Sequence, residues 1–87
     1  MNSNKKINVN NLKNIGWITP GKYKVFKEYN TSNGGVNYEF VLASESFDTV
    51  KEFCKAVSGS VRTFSYVISD EQLNILMRYP SVEVLFK

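Results

Sequence analysis

The sequence predicts an α+β fold, a small two-layer sandwich in β-β-α-β-α-β order. It calls for one mixed sheet, two helices on one face and a short N-terminal arm. Three observations lead there. Asn33-Gly34 joins two alternating strands, the strongest short hairpin signal a chain can carry. Phe47, Val50, Phe53, Cys54 and Val57 recur at helical spacing. Residues 64–87 then read as strand, capped helix and strand, with little slack between them.

The 87 residues suit a single domain, 1–87. Residues 1–6 are polar and expected to be flexible, 7–21 form the arm, and 22–87 form the core. In the arm, Ile7 and Val9 alternate with Asn8 as a short strand. Asn10 or Asn11 then caps one or two helical turns, with Leu12 and Ile15 facing inward and Gly16 as the stop. Trp17 and Ile18 need cover, so the arm is expected to pack on the body. Thr19-Pro20-Gly21 is a turn.

Residues 22–30 alternate as an edge strand. Tyr23, Val25, Lys27 and Tyr29 share one face; Lys24, Phe26 and Glu28 share the other. Residues 36–43 return as its partner, with Val36, Tyr38, Phe40 and Leu42 on a single apolar face. Ser46 caps the first helix, Asp48 suits its positive end, and Gly59 stops it. Residues 60–68 are rich in β-branched and aromatic side chains, as a strand requires. Ser69-Asp70-Glu71-Gln72 has the form of a capping box, with an Ile68–Leu73 staple around it. Leu73, Leu76 and Met77 supply the buried stripe of a second helix, which Pro80 ends. Val82, Val84 and Phe86 form a last strand.

The last third resembles the subtilisin propeptide-like inhibitors, which are small ferredoxin-like domains. The likeness rests on Phe64, Ser69, Leu73, Leu76, Pro80, Val82 and Val84 and covers residues 60–87. It implies a kindred fold. That family has two strands between its helices, and its inhibitory segment follows the last strand. Here residues 60–68 leave room for one ordinary strand and the sequence ends at Lys87, so protease inhibition does not carry over.

Composition narrows the chemistry. There is no histidine, the commonest general base and metal ligand. Cys54 is the one cysteine, without a basic neighbour to activate it, and it sits on the helical stripe as a small core residue. Neither the usual zinc sets nor a phosphate loop is present. The expectation is a protein that is not an enzyme and that has no catalytic residues, metal or cofactor. A start without an apolar leader core, few cysteines and no membrane-length apolar run point to the cytoplasm, with no membrane partner. Abundant Asn and Lys are associated with an AT-rich coding genome, bacterial or phage.

What remains is binding. The expectation is a protein-interaction or inhibitor module acting on a larger macromolecule. Tyr23, Tyr29, Tyr38, Tyr66 and Tyr79 are too many to bury without partners for their hydroxyls, and exposed tyrosines favour interfaces. The alternative is nucleic-acid binding through the Lys/Tyr-rich hairpin 22–43. Residues 1–35 hold six lysines against Glu28 alone, and lysines alternating with aromatics suit phosphates and unpaired bases. Both point to Lys22, Tyr23, Lys24, Lys27, Tyr29 and the Trp17 arm. A homodimer through edge strand 22–30 is a further expectation.

Overall fold

The computed structural model describes residues 6–13, 15–58 and 64–79. Its elements are strands β1 (Tyr23–Asn30) and β2 (Val36–Ser44), helix α1 (Phe47–Ser58), and strands β3 (Ser65–Ser69) and β4 (Ile75–Tyr79). The sheet order is β2-β1-β3-β4, and every neighbouring pair is antiparallel.

This corrects the predicted order. Among the described residues there is one α-helix, not two, and the sheet is antiparallel rather than mixed. The difference lies between Ser69 and Tyr79. Ser69 does not cap a helix there; its Oγ donates to Asp70 O at 3.0 Å, and Asp70 closes a turn. Its Oδ1 accepts the backbone N–H groups of Gln72 and Asn74, each at 2.9 Å, and its Oδ2 accepts from Asn74 Nδ2 at 3.0 Å. A short Asp closing its own turn competes directly with helix entry. Leu73 then takes a left-handed φ of 69°. That conformation costs about 1–2 kcal/mol, and burial of the Leu73 side chain, which is 5% exposed, offsets it. The chain reverses and returns as β4.

The helical spacing of Leu73, Leu76 and Met77 has a different origin. Ile68 pairs with Met77 but Ser69 pairs with Ile75, so Leu76 is an extra, bulged residue. A bulge puts apolar residues out of step with strict alternation and imitates a helical period. Within the segment that carries the resemblance to the propeptide-like inhibitors, the described residues 64–79 thus form a β-hairpin. The predicted last strand, 82–86, lies outside the described residues, as do residues 1–5 and the predicted helix stop at Gly59.

The hairpin turn and the start of α1 follow the predicted pattern, whereas the short strand expected at residues 7–9 is replaced by a 3-10 turn at Val9–Asn11. Thr31 and Gly35 close the hairpin loop: Thr31 N–H donates to Gly35 O, and Gly34 takes a φ of 90°. Ser46 caps α1, its Oγ accepting from Thr49 N–H at 3.2 Å. One strand residue changes face. Val25 pairs with Leu42 and Phe26 with Phe40, which leaves Val41 as a bulge. Leu42 therefore joins the helix side instead of sharing a face with Val36, Tyr38 and Phe40.

The sheet is covered on both faces. On one, α1 buries Val50 and Cys54 against Val25, Tyr66 and Ile68. On the other, the N-terminal arm lays Ile7, Leu12 and Trp17 over Phe26, Tyr38, Val67 and Leu73. The arm is thus a third layer of the fold. Ile7 N–H donates to Leu73 O at 2.8 Å, and Lys13 N–H donates to Tyr38 O at 2.9 Å. Between and beyond these anchors it forms 3-10 turns at Val9–Asn11 and Gly16–Ile18, the first capped by Asn8, not Asn10 or Asn11. A side chain at Gly16 would meet the Phe40 ring at 2.9 Å, so glycine lets the arm lie flat there.

Strand β1 is an interior strand, hydrogen-bonded to β2 on one side and β3 on the other. It therefore has no free edge for a second copy. Among the described residues the sheet ends at β2 and β4.

Candidate functional site

The six residues singled out in the sequence do not form one surface. Lys24 is 5% exposed, and its Nζ donates to Thr19 O at 2.5 Å. The ammonium thus ties the end of the arm to β1. Tyr23 lies on the other face, its ring 5.2 Å from Phe47, and helps close the helix-side core. Lys22 is exposed just before β1.

Lys27 and Tyr29 do meet, through Phe64. Lys27 Nζ stands 4.9 Å from the Phe64 ring centre, and the Tyr29 and Phe64 rings are 5.0 Å apart. Lys13 Nζ approaches Tyr29 from the arm at 5.2 Å. The Tyr29 hydroxyl donates to Glu39 Oε1 at 3.0 Å, and partial burial together with that carboxylate raises its pKa. Phe64 continues into Tyr66 and Phe53 by edge-on contacts. These rings pack against the helix-side core rather than standing free for bases.

No tyrosine is exposed. Tyr38 and Tyr66 are buried, and Tyr23, Tyr29 and Tyr79 are half-buried. Tyr38 donates to Glu28 Oε2 at 2.6 Å. Burial and this bond to a carboxylate push its pKa well above the ordinary tyrosine range. The sequence argument that tyrosines exceed the needs of the core is corrected here: the sheet has two covered faces, and both faces use them.

The apolar surface lies elsewhere. Val9, Ile15 and Ile18 are 52%, 76% and 63% exposed, and all three belong to the arm. Ile15 was expected to face inward with Leu12; only Leu12 does. The arm and the 70–74 turn also enclose an open cleft of about 620 Å³. Its apolar lining is Ile7, Val9, Trp17 and Leu73, and Lys6 and Glu71 bring opposite charges to it. A cleft of this size, apolar within and polar at its margin, takes one or two large side chains or a small ligand. Trp17, half-buried, is the one predicted site residue that lines it. The sequence reading misses the others: Val9 fits a short strand, Ile15 an inward helical face and Ile18 a covered position, whereas Val9 opens a 3-10 turn and all three are exposed.

Cys54 is fully buried, and burial pushes its thiol up to about 11. That disfavours the reactive thiolate. Among the described residues no group of three or more Cys, Asp or Glu side chains is placed to hold a metal ion. No described helix is long and apolar enough to cross a membrane. No family model, curated protein or solved structure matches the chain.

Proposed function

We propose that this protein is a small, cytoplasmic, non-enzymatic protein-interaction module, and that it recognises its partner through the N-terminal arm. The observation that carries this reading is the exposure of Val9, Ile15 and Ile18 on the arm, whose Val9 and Trp17 also line a cleft. Exposed apolar surface marks an interaction site where it is contiguous, and these three aliphatic side chains lie within ten residues of one another on one segment. Trp17 supplies an aromatic anchor of the kind that dominates interface energetics. The partner is a protein that offers apolar side chains to the arm and cleft.

The nucleic-acid reading is the weaker one. It needs a row of free lysines and unstacked aromatics on the hairpin. Lys24 is spent on Thr19, Lys27 lies on Phe64, and the tyrosines are packed. The remaining exposed lysines do not form a continuous track along one strand.

The test is capture of the cellular partner by the wild-type chain and by an Ile15→Asp/Ile18→Asp double variant, each with and without nuclease. Both positions are exposed, so the variant keeps the fold. The expected result is a nuclease-resistant partner bound by the wild type and lost from the variant. Equal capture by both, or capture abolished by nuclease, contradicts the proposal.

A further inference from the structure

The Asn33-Gly34 pair in the hairpin loop carries a chemistry that the fold does not use. Asparagine is thermally labile because its side-chain amide carbon is a weak electrophile. The backbone nitrogen of the next residue can attack that carbon, and glycine at the next position puts no Cβ in the way. Asn33, Gly34 and Gly35 are all exposed. A Cβ built on Gly34 would meet nothing within 4 Å, so this peptide is open to water and to the Asn33 side chain.

Thr31 holds both reacting groups. Its carbonyl accepts from Gly34 N–H, the nucleophile, at 3.2 Å. Its hydroxyl donates to Asn33 Oδ1, on the electrophile, and accepts from Gly35 N–H at 2.9 Å. Gly35 N–H also makes a longer contact of 3.4 Å with Asn33 Oδ1. All these bonds lie on the surface at a loop tip, where local opening costs least.

We propose that Asn33 is a site of self-deamidation, and that Thr31 is the positioning residue that restrains it in the closed hairpin. The Thr31 bonds open before Asn33 Cγ reaches attack geometry over the Gly34 nitrogen. Gly34 N then gives its proton to a solvent base and bonds to Cγ. The Cγ–Nδ2 bond breaks and ammonia leaves, closing a succinimide ring. Water opens the ring. Attack at Cγ restores the main chain and leaves aspartate; attack at the Asn33 backbone carbonyl carbon leaves isoaspartate, with the main chain routed through Cγ. In sum, an amide and water become a carboxylate and ammonium, with no change of oxidation state. Either product adds a negative charge to the loop tip. Aspartate keeps the acceptor oxygen that Thr31 and Gly35 use. Isoaspartate adds a methylene to the main chain inside the turn and displaces Gly34 N–H from Thr31 O. The loop shares a hollow with Asn11, so the change falls next to the N-terminal arm.

The test is mass spectrometry of the full chain, aged at neutral and at mildly alkaline pH, with circular dichroism confirming the fold of each variant. Aspartate and isoaspartate are read separately at position 33 after digestion. Both are expected there, and faster at higher pH, because the attacking nitrogen must lose its proton. Asn33→Gln, whose longer side chain closes a larger ring, is expected to stay unchanged. Thr31→Ala is expected to react roughly fivefold faster or more, since each hydrogen bond removed favours the open loop by about that factor. Thr31→Ser keeps the hydroxyl and is expected to react like the wild type. The chain unfolded in denaturant gives the unrestrained rate, which is expected to exceed the native one. No product at position 33 of the native chain overturns the proposal, as does aspartate alone, the mark of direct hydrolysis. Equal rates in the wild type and Thr31→Ala, in Thr31→Ser and Thr31→Ala, or in the native and unfolded chains overturn it as well.

Discussion

Arg78 on β4 grips Glu28 on β1 across the intervening strand β3, with Nε at 2.9 Å from Oε1 and Nη2 at 2.8 Å from Oε2. Tyr38 of β2 donates to the same carboxylate. One acid therefore links β1, β2 and β4, spanning β3, on the arm-covered face. Burial pushes the Glu28 carboxyl up, but the bonds from Arg78 and Tyr38 and the nearby positive charge outweigh it, and the pKa falls below the ordinary value.

That balance predicts an acid limb. A depressed carboxyl contributes stability above its unfolded pKa and loses it as pH falls through the folded one. Arg78→Met is expected to lower stability by about 1–2 kcal/mol at neutral pH, because it leaves a half-buried carboxylate with one partner fewer. Its acid unfolding is expected to begin at higher pH than that of the wild type. Urea titrations across the acid range measure both effects.

Cys54 predicts the opposite limb. Its thiol is raised by burial from the usual 9.0 to about 11. A raised acid contributes stability in full below the unfolded pKa and loses it as pH climbs through the folded one. Between about pH 9 and pH 11 the fold is expected to lose about 2 kcal/mol from this group, and Cys54→Ala is expected to flatten that slope. Tyr38 adds to the loss at still higher pH. A thiol reagent is expected to leave the native chain unlabelled and to label it on unfolding.

The 70–74 turn depends on one carboxylate. Asp70→Ala removes three hydrogen bonds from the segment that holds Leu73 in its left-handed conformation. The expected cost is about 1–2 kcal/mol. Hydrogen exchange is expected to quicken in β4 and at Ile7, whose N–H is held by Leu73 O.

Ile7 is 1% exposed and seals the arm over Phe26, Val67 and Leu73. Ile7→Ala is expected to cost about 2–4 kcal/mol. If the arm is a true layer of the core, thermal unfolding stays a single transition at a lower midpoint. An arm that merely rested on a complete sandwich would change little.

The sequence was most legible where local chemistry and burial agree. Asn33-Gly34, the alternation of β1 and the Val50–Cys54 stripe each describe an element that one short window determines. It was least legible at bulges and turns. Val41 and Leu76 each shift a strand by one residue, which moves Leu42 to the other face and lends 73–77 a helical look. Asp70 suits a helix cap and a closed turn equally well as a residue type, and only the tertiary demand for β4 beside β3 selects the turn. The site followed the same logic. Lys22–Tyr29 drew attention as a basic, aromatic edge, but two flanking strands and two covering layers absorb most of those side chains. The arm reads as a short strand and an inward-facing helical turn, but its two 3-10 turns leave Val9, Ile15 and Ile18 outside the core.

The central claim is that the arm, and not the lysine-bearing hairpin, meets the partner. Site-specific photo-crosslinking in the cell tests it most directly, with a photoreactive residue placed at Ile15, at Lys22 or at Glu52. All three positions are exposed, one on the arm, one at the hairpin entry and one on α1. The expected result is a discrete, nuclease-resistant protein adduct from position 15 and none from position 52. Adducts from position 22 alone that vanish on nuclease treatment, or equal labelling from all three, contradict it.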